Sequence, residues 1–386
     1  MIPRRAFSGA CLCCAGAALL AGCAAPLPAM EPGTRPAAAT DEGGLWALMD
    51  REEARLARSR FVMREKDINE LLRSLCSRLA PERAQDIRIY LVRTPFFNAS
   101  MAPNGMMQVW SGLLIRVHNE AQLAAILGHE IAHYTQRHSL QRLRSVRDTA
   151  DAMAFLGLGM TVAGLGALAD LGNLIAIAAL FAYTRDQERE ADALGQDAMA
   201  RAGFAPIEAA NVWAQLLAEQ KQGARGDRDV MTASHPTSEE REATMRARAA
   251  ALGAGDAGER GGDRLLAAMA PIRAGLLADE VRLRQPKRSI SVFSQADAAG
   301  LGDGLLYTAW GEVLRVQDGP GDADAARGLF QRALASPGPP AEAWRGLGMI
   351  YRRAGDQAAA ENAFRRYLAA APAAGDAALI RTYLGS

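Results

Sequence analysis

The chain has 386 residues, 49% of them apolar, a formal charge of +1, and only five histidines and five cysteines. That length suits one large domain or two of ordinary size. The near-neutral balance gives no electrostatic footprint for nucleic acid or an anionic membrane surface, so neither is expected as a partner.

The first residues read as an export signal. "MIPRR" supplies positive charge, "AFSGACLCCAGAALL" an apolar run too short for a permanent span, and "LAGC" a small-residue cleavage site. Leu20-Ala21-Gly22-Cys23 resembles the bacterial lipobox, which implies a signal peptide over 1–22 and lipidation of the Cys23 thiol. Loss of Arg4 and Arg5 with that leader takes the net charge to −1. Cys76 is then the one free thiol, so no intrachain disulfide is expected. It falls on the apolar face of "INELLRSLCSRLA", where a thiol acts as a small hydrophobe.

Residues 23–45, rich in Pro, Ala and Gly, read as a flexible tether. Helical periodicity runs from about Trp46 to Leu79. "DIRIYLVR" alternates as a strand, and "NGMMQVWSG" carries an Asn-Gly turn before a second short strand. "NEAQLAAILGHEIAHYTQRH", residues 119–138, follows as a helix, with Asn119 as its cap and Gln122 as the capping-box partner. Residues 152–183 are apolar throughout except for Asp170. Their glycines and their position favour a buried or membrane-touching helical lid over a true span. "TRDQEREADALGQDAMARAGF" has helical spacing and stops at Gly203.

Composition shifts at 251–263, which reads as a linker. Beyond it, over 264–386, Trp310 and Trp344, Ala326 and Ala360, Phe330 and Phe364, and Leu334 and Leu368 all stand 34 residues apart. That period and those residue types follow the tetratricopeptide pattern, closely in the second unit and loosely in the first. Stacked helix pairs of this kind present a concave groove suited to extended or helical peptides.

The chemistry concentrates in the helix at 119–138. His129 and His133 are one turn apart, so both rings leave one face and reach a single zinc ion at ~2.0–2.1 Å. Glu130 sits beside the first ring, placed to hold a proton of the attacking water without taking a coordination position. Burying this trio in so apolar a helix costs several kcal/mol unless something satisfies it. The "TRDQEREAD" segment offers Glu188 and Asp192 one turn apart as partners, with Glu190 between them on a different face. Two histidines and one carboxylate leave a fourth zinc position open, the catalytic pattern.

His235 in "SHPTSEER" has three readings. It enters the cleft to stabilise an oxyanion, or it latches the open zinc position, or it simply ends a loop, with Thr237 and Glu240 capping the next helix. His138, about 140° round the helix from His133, cannot share the metal. His118 reads as a loop residue at the surface.

"NASMAPNGMMQVWSGLL", the 119–138 helix and "TRDQEREAD" together resemble the zinc metallopeptidase family of HtpX and the type I CAAX prenyl endopeptidase, over roughly 46–250. The likeness is greater to its soluble periplasmic lipoprotein branch, in which tetratricopeptide repeats follow the peptidase. The resemblance implies an α+β, mostly helical zincin-type domain over 46–250 and an all-α repeat domain over 264–386. It also implies one zinc per chain on His129, His133 and Glu188, Glu130 as catalytic base, and Asp192 as a supporting acid behind a ligand. The expected function is cleavage of unfolded or misassembled envelope proteins. The repeats would dock substrate or the outer-membrane assembly machinery, and the chain would sit in the periplasm on a lipid anchor at Cys23. The alternative is a docking or holdase lipoprotein whose zinc is structural or latched.

Overall fold

The computed structural model of the protein describes residues 27, 30–146, 183–223, 235, 238–253 and 257–385. The expected signal peptide, Cys23, and all but Tyr183 of the expected lid at 152–183 lie outside the described residues. Among the described residues, no helix is long and apolar enough to cross a membrane.

The periodic stretch up to Leu79 is two helices, α1 (Asp41–Leu56) and α2 (Lys66–Leu79), with a short strand β1 (Val62–Met63) between them. The break has a tertiary cause. Val62 and Met63 pair antiparallel with Val92 and Leu91 of β2 (Arg88–Val92), and the Arg93 N–H donates to the Phe61 carbonyl at 2.7 Å. Two further strands, β3 (Ala99–Met101) and β4 (Met106–Trp110), complete a sheet of order β1-β2-β4-β3. β2 and β4 run parallel, whereas β3 pairs antiparallel with β4. The expected Asn-Gly turn joins β3 to β4. Gly105 adopts φ +89° there, and a side chain would collide with the Asp86 carbonyl.

After a one-turn helix α3 (Ser111–Leu114), α4 (Glu120–Thr135) is buried on every side from Glu120 to Tyr134. It packs against β3, α2 and three later helices, α6 (Arg185–Arg201), α7 (Ile207–Gln220) and α9 (Gly262–Arg282). Asn119 caps it as expected, accepting from the Gln122 N–H. Gln122 reaches back one residue further than a capping box does and accepts from the His118 N–H at 2.8 Å. A short α5 (His138–Val146) follows.

Thr184 and Gln187 form a full capping box on α6, which ends near Gly203 at φ +80°. α4 and α6 approach most closely where two glycines face each other. A Cβ on Gly128 would stand 3.3 Å from the Gly195 carbonyl oxygen, and one on Gly195 would stand 3.0 Å from the His129 nitrogen. Helix axes this close bring short acidic side chains of α6 within reach of the histidines of α4. α8 (Glu239–Ala251) closes the group, packed on α6 and α7.

The C-terminal helices are α9, α10 (Pro286–Ala298), α11 (Gly304–Gln317), α12 (Asp322–Ala335), α13 (Ala341–Arg353), α14 (Gln357–Ala370) and α15 (Ala377–Tyr383). The two expected repeats are α11–α12 and α13–α14. Ala326, Phe330, Ala360 and Phe364 are each at most 1% exposed at their shared repeat positions. The Phe330 ring lies where a Cβ on Gly346 would stand, which requires the glycine.

The α9–α10 pair precedes the sequence repeat and does not stand apart from what comes before it. Leu265, Met269 and Ile272 of α9 and Val292 and Phe293 of α10 share one apolar cluster with Leu72, Leu91, Leu123 and Leu127. Residues 257–261 also run against the earlier elements. Glu259 forms a β-bridge with Phe204 and pairs with Arg78 at 2.7 Å, and the Arg260 carbonyl accepts from the Ala121 N–H at 3.0 Å. Cys76 is buried in the same core, and burial pushes its thiol up to about 12, as suits an inert packing residue.

Candidate metal centre

Three chain segments converge on one point. α4 supplies His129 and His133, α6 supplies Glu188, and His235 enters between α7 and α8. One ligand atom from each lies within 4.8 Å of all the others, and all four side chains are buried. His133 Nε2 is 3.0 Å from His129 Nε2, which is 3.2 Å from His235 Nδ1. Glu188 Oε1 is 2.9 Å from His235 Nδ1 and 3.4 Å from His133 Nε2.

Four donors around a tetrahedral zinc at ~2.0–2.1 Å are spaced by about 3.3 Å, so these separations fit that ion. Its chemistry fits too. Three imidazole nitrogens turned towards each other cannot all be satisfied by mutual hydrogen bonds, because a neutral ring offers one donor and one acceptor. Charge points the same way. With the carboxylates ionised and the histidines neutral, Glu130, Glu188 and Asp192 against the single guanidinium of Arg241 leave a net charge of −2, a deficit that a divalent cation fills. Without one, burial opposes a charge on His235, but Glu188 and Glu130 outweigh it and raise the ring above its usual range.

Glu130 is buried beside this point, and its Oε1 has no hydrogen-bond donor among the described residues. His235 Nε2 stands 3.5 Å away. Burial pushes the Glu130 carboxyl above its usual range, despite opposition from His235 and His129. Such a carboxylate is poised to take up a proton. Burial also opposes the charge on Glu188, but His235 and the hydrogen bond from His133 outweigh it and hold the carboxyl well below its usual range.

Asp192 does not join the four donors. It lies behind them, with Oδ1 2.9 Å from His129 Nδ1. Arg241 donates to both its oxygens at 2.7 and 2.8 Å and stands 2.7 Å from Glu188 Oε2, tying the two α6 carboxylates together. Burial pushes Asp192 up, but the bonds from His129 and Arg241 prevail and keep it low. Arg241 in turn lies 4.7 Å from the centre of the Trp213 ring. The Tyr183 ring stacks on His133, centroids 3.7 Å apart and planes at 16°.

Several sequence expectations need adjusting. The cap of α8 is Ser238, which accepts from the Arg241 N–H, and His235 is 2% exposed, so the loop-end reading of His235 does not hold. Glu190 is not among the four donors, and its carboxylate lies 3.3 Å from His138 Nε2. His138 is no ligand, but the angular argument against it fails because α4 stops at Thr135. Arg137, at φ +56°, turns the chain back, and His138 Nδ1 arrives 2.8 Å from His133 Nδ1. His118 is half-buried, and burial pushes its ring down to about 4. Tyr183 and Trp213 were not singled out from sequence, since an aromatic carries no motif until its neighbour is known.

A His-Glu-x-x-His helix facing a carboxylate helix within this small mixed sheet and helical frame defines a metallopeptidase domain. Residues 63–249 match peptidase family M48, and the chain carries a domain of that family. Among curated proteins it is similar to the mitochondrial metalloendopeptidase OMA1 of Schizosaccharomyces pombe, 30% identical over 40% of this chain and 44% of that protein. It is equally similar, at 30%, to the putative beta-barrel assembly-enhancing protease of Vibrio cholerae over 49% of this chain and 40% of that one. The beta-barrel assembly-enhancing protease of Escherichia coli matches at 30% over 42% of this chain and 34% of its own length. The chain thus spans less than half the length of each of these relatives.

Proposed function

We propose that the protein is a zinc-dependent endopeptidase of the bacterial cell envelope that cleaves unfolded or misassembled envelope proteins. The observation that carries this reading is the buried set of three imidazoles and a carboxylate with Glu130 beside it. A zinc ion held by His129, His133 and Glu188 would supply Lewis acidity at the scissile carbonyl and to the attacking water. Glu130 takes the proton from that water and passes it to the leaving amine. Asp192 holds the His129 ring in place through its Nδ1–H, and Arg241 fixes Asp192.

His235 Nδ1 fits the fourth coordination position, so the arrangement favours a resting enzyme latched by its own histidine. Opening requires His235 to leave. The expected lipidation of Cys23 and the names of the bacterial relatives support a periplasmic site on the outer membrane, with the assembly machinery as a partner. The C-terminal helices support substrate docking. α9, α11 and α13 line a cavity of about 320 Å3 that includes Leu277, Val281, Leu305, Glu312 and Arg345.

The test compares wild type, Glu130→Gln and His235→Ala on an unfolded test protein, with zinc content measured in each. Glu130→Gln is expected to keep zinc and lose cleavage, and His235→Ala to cleave faster. Cleavage undiminished in Glu130→Gln would sink the endopeptidase reading. If His235→Ala and wild type both leave substrate intact while holding zinc, the docking or holdase alternative stands.

A further inference from the structure

Two residues that helical geometry set aside as ligands, His138 and Glu190, touch one another. The geometry points to them as a positioning pair that fixes the proton and the orientation of His133 from behind, resting on the reading of His133 as a zinc ligand. His133 Nε2 is the atom turned towards His129 and Glu188, so a cation there requires its lone pair and places the ring's proton on Nδ1. That N–H donates to His138 Nδ1 at 2.8 Å. His138 Nδ1 must then be bare, and its own proton sits on Nε2, 3.3 Å from Glu190 Oε2. Once the cation's side is known, each proton in the row has one place to be.

The backbone is built for this contact. A non-glycine residue at positive φ is strained, and Arg137 is held there by an ion pair with Glu42 of α1. Without that reversal, His138 would continue α4 and point elsewhere. The His138 side chain is wholly buried, whereas that of Glu190 is 51% exposed. Burying an imidazole so completely is tolerable only with both nitrogens partnered, as here. The two α4 histidines are therefore backed differently. His129 meets a buried carboxylate directly, while His133 reaches a solvent-facing one through a second ring.

The experiment uses the full chain labelled with 15N-histidine, whose five rings are resolvable, together with zinc affinity from chelator competition. In the zinc-loaded protein, His133 is expected to carry its proton on Nδ1 and His138 on Nε2. His138→Leu is expected to weaken zinc binding by ~10–100-fold, as loss of a ligand's orienting partner does. Glu190→Ala, at a half-exposed position, is expected to weaken it less and, in the metal-free protein, to mix the His138 tautomers, with the metal-free melting temperature unchanged. If His138→Leu fails to fold, Glu190→Ala decides. Unaltered affinity and unaltered His138 tautomer in Glu190→Ala, or a His133 proton on Nε2 in the loaded protein, would overturn the pair while leaving the zinc site standing. Wild-type protein that binds no zinc would overturn the site itself and the pair with it.

Discussion

Two buried charge clusters among the described residues differ in one respect. The first joins Arg116, Glu219, Glu280 and Arg288. Arg116 Nη2 lies 2.8 Å from Glu219 and 3.1 Å from Glu280, Arg288 Nη2 lies 2.8 Å from Glu219, and the Ser289 hydroxyl donates to Glu280 at 2.9 Å. Two guanidiniums face two carboxylates, so the cluster is neutral. The second is the metal centre, where carboxylates outnumber the guanidinium and ring nitrogens crowd a common point. Burial of charge alone therefore does not mark function. What marks it is a set of donor atoms that the protein's own groups leave unbalanced.

The sharpest way to break this contrast is to unbalance the neutral cluster. Glu219→Ala removes the carboxylate that Arg116 and Arg288 share, and about 3–5 kcal/mol of stability is expected to go, measured by denaturant unfolding, with zinc affinity unaltered. Burial pushes Glu219 up, but Arg116 and Arg288 outweigh it and depress the folded pKa. Its contribution is thus present above the unfolded value of ~4.3 and lost as pH falls through that range. If Glu219→Ala lost zinc as well, the two clusters would be one system.

Gly195→Val probes the helix approach that assembles the centre. A branched side chain 3.0 Å from the His129 nitrogen must push α4 and α6 apart, at ~1–3 kcal/mol, and is expected to weaken zinc binding along with stability. Asp192→Asn keeps the shape of the side chain and removes its charge. Zinc affinity is expected to fall by ~10–100-fold, read by chelator competition, together with some metal-free stability, because Arg241 loses a buried charged partner.

The effect of His118 is confined to acid pH. Burial pushes its ring down to about 4, so folding favours the neutral form. Stability from this residue is full above ~6.5 and fades as pH falls from there towards 4. His118→Gln should flatten that part of the stability profile, and an unaltered slope would show that the ring carries none of it.

Local signals carried much of this structure. The Asn119 cap, the Asn104-Gly105 turn, the Gly203 stop and the 34-residue spacing of Phe330 and Phe364 are all set by nearby residues or by a period, and each stands where the sequence places it. His129, Glu130, His133 and Glu188 were legible because helical spacing is itself geometry. What depended on distant chain was not. β1 exists only because β2 offers a partner edge, and β3 because β4 does. His138 acquires its position from a reversal at Arg137 that Glu42, 95 residues earlier, supports. The place of His235 beside Glu188 follows from how α6 and α8 pack.

The central claim is that the imbalance of the second cluster is filled by one divalent ion. Elemental analysis of the full chain, purified without chelator, tests it directly when wild type is set beside a His129→Ala/Glu188→Ala double variant. One zinc per wild-type chain and almost none in the variant is the expected result. A wild-type chain without tightly held metal, or a variant that keeps as much, would contradict it.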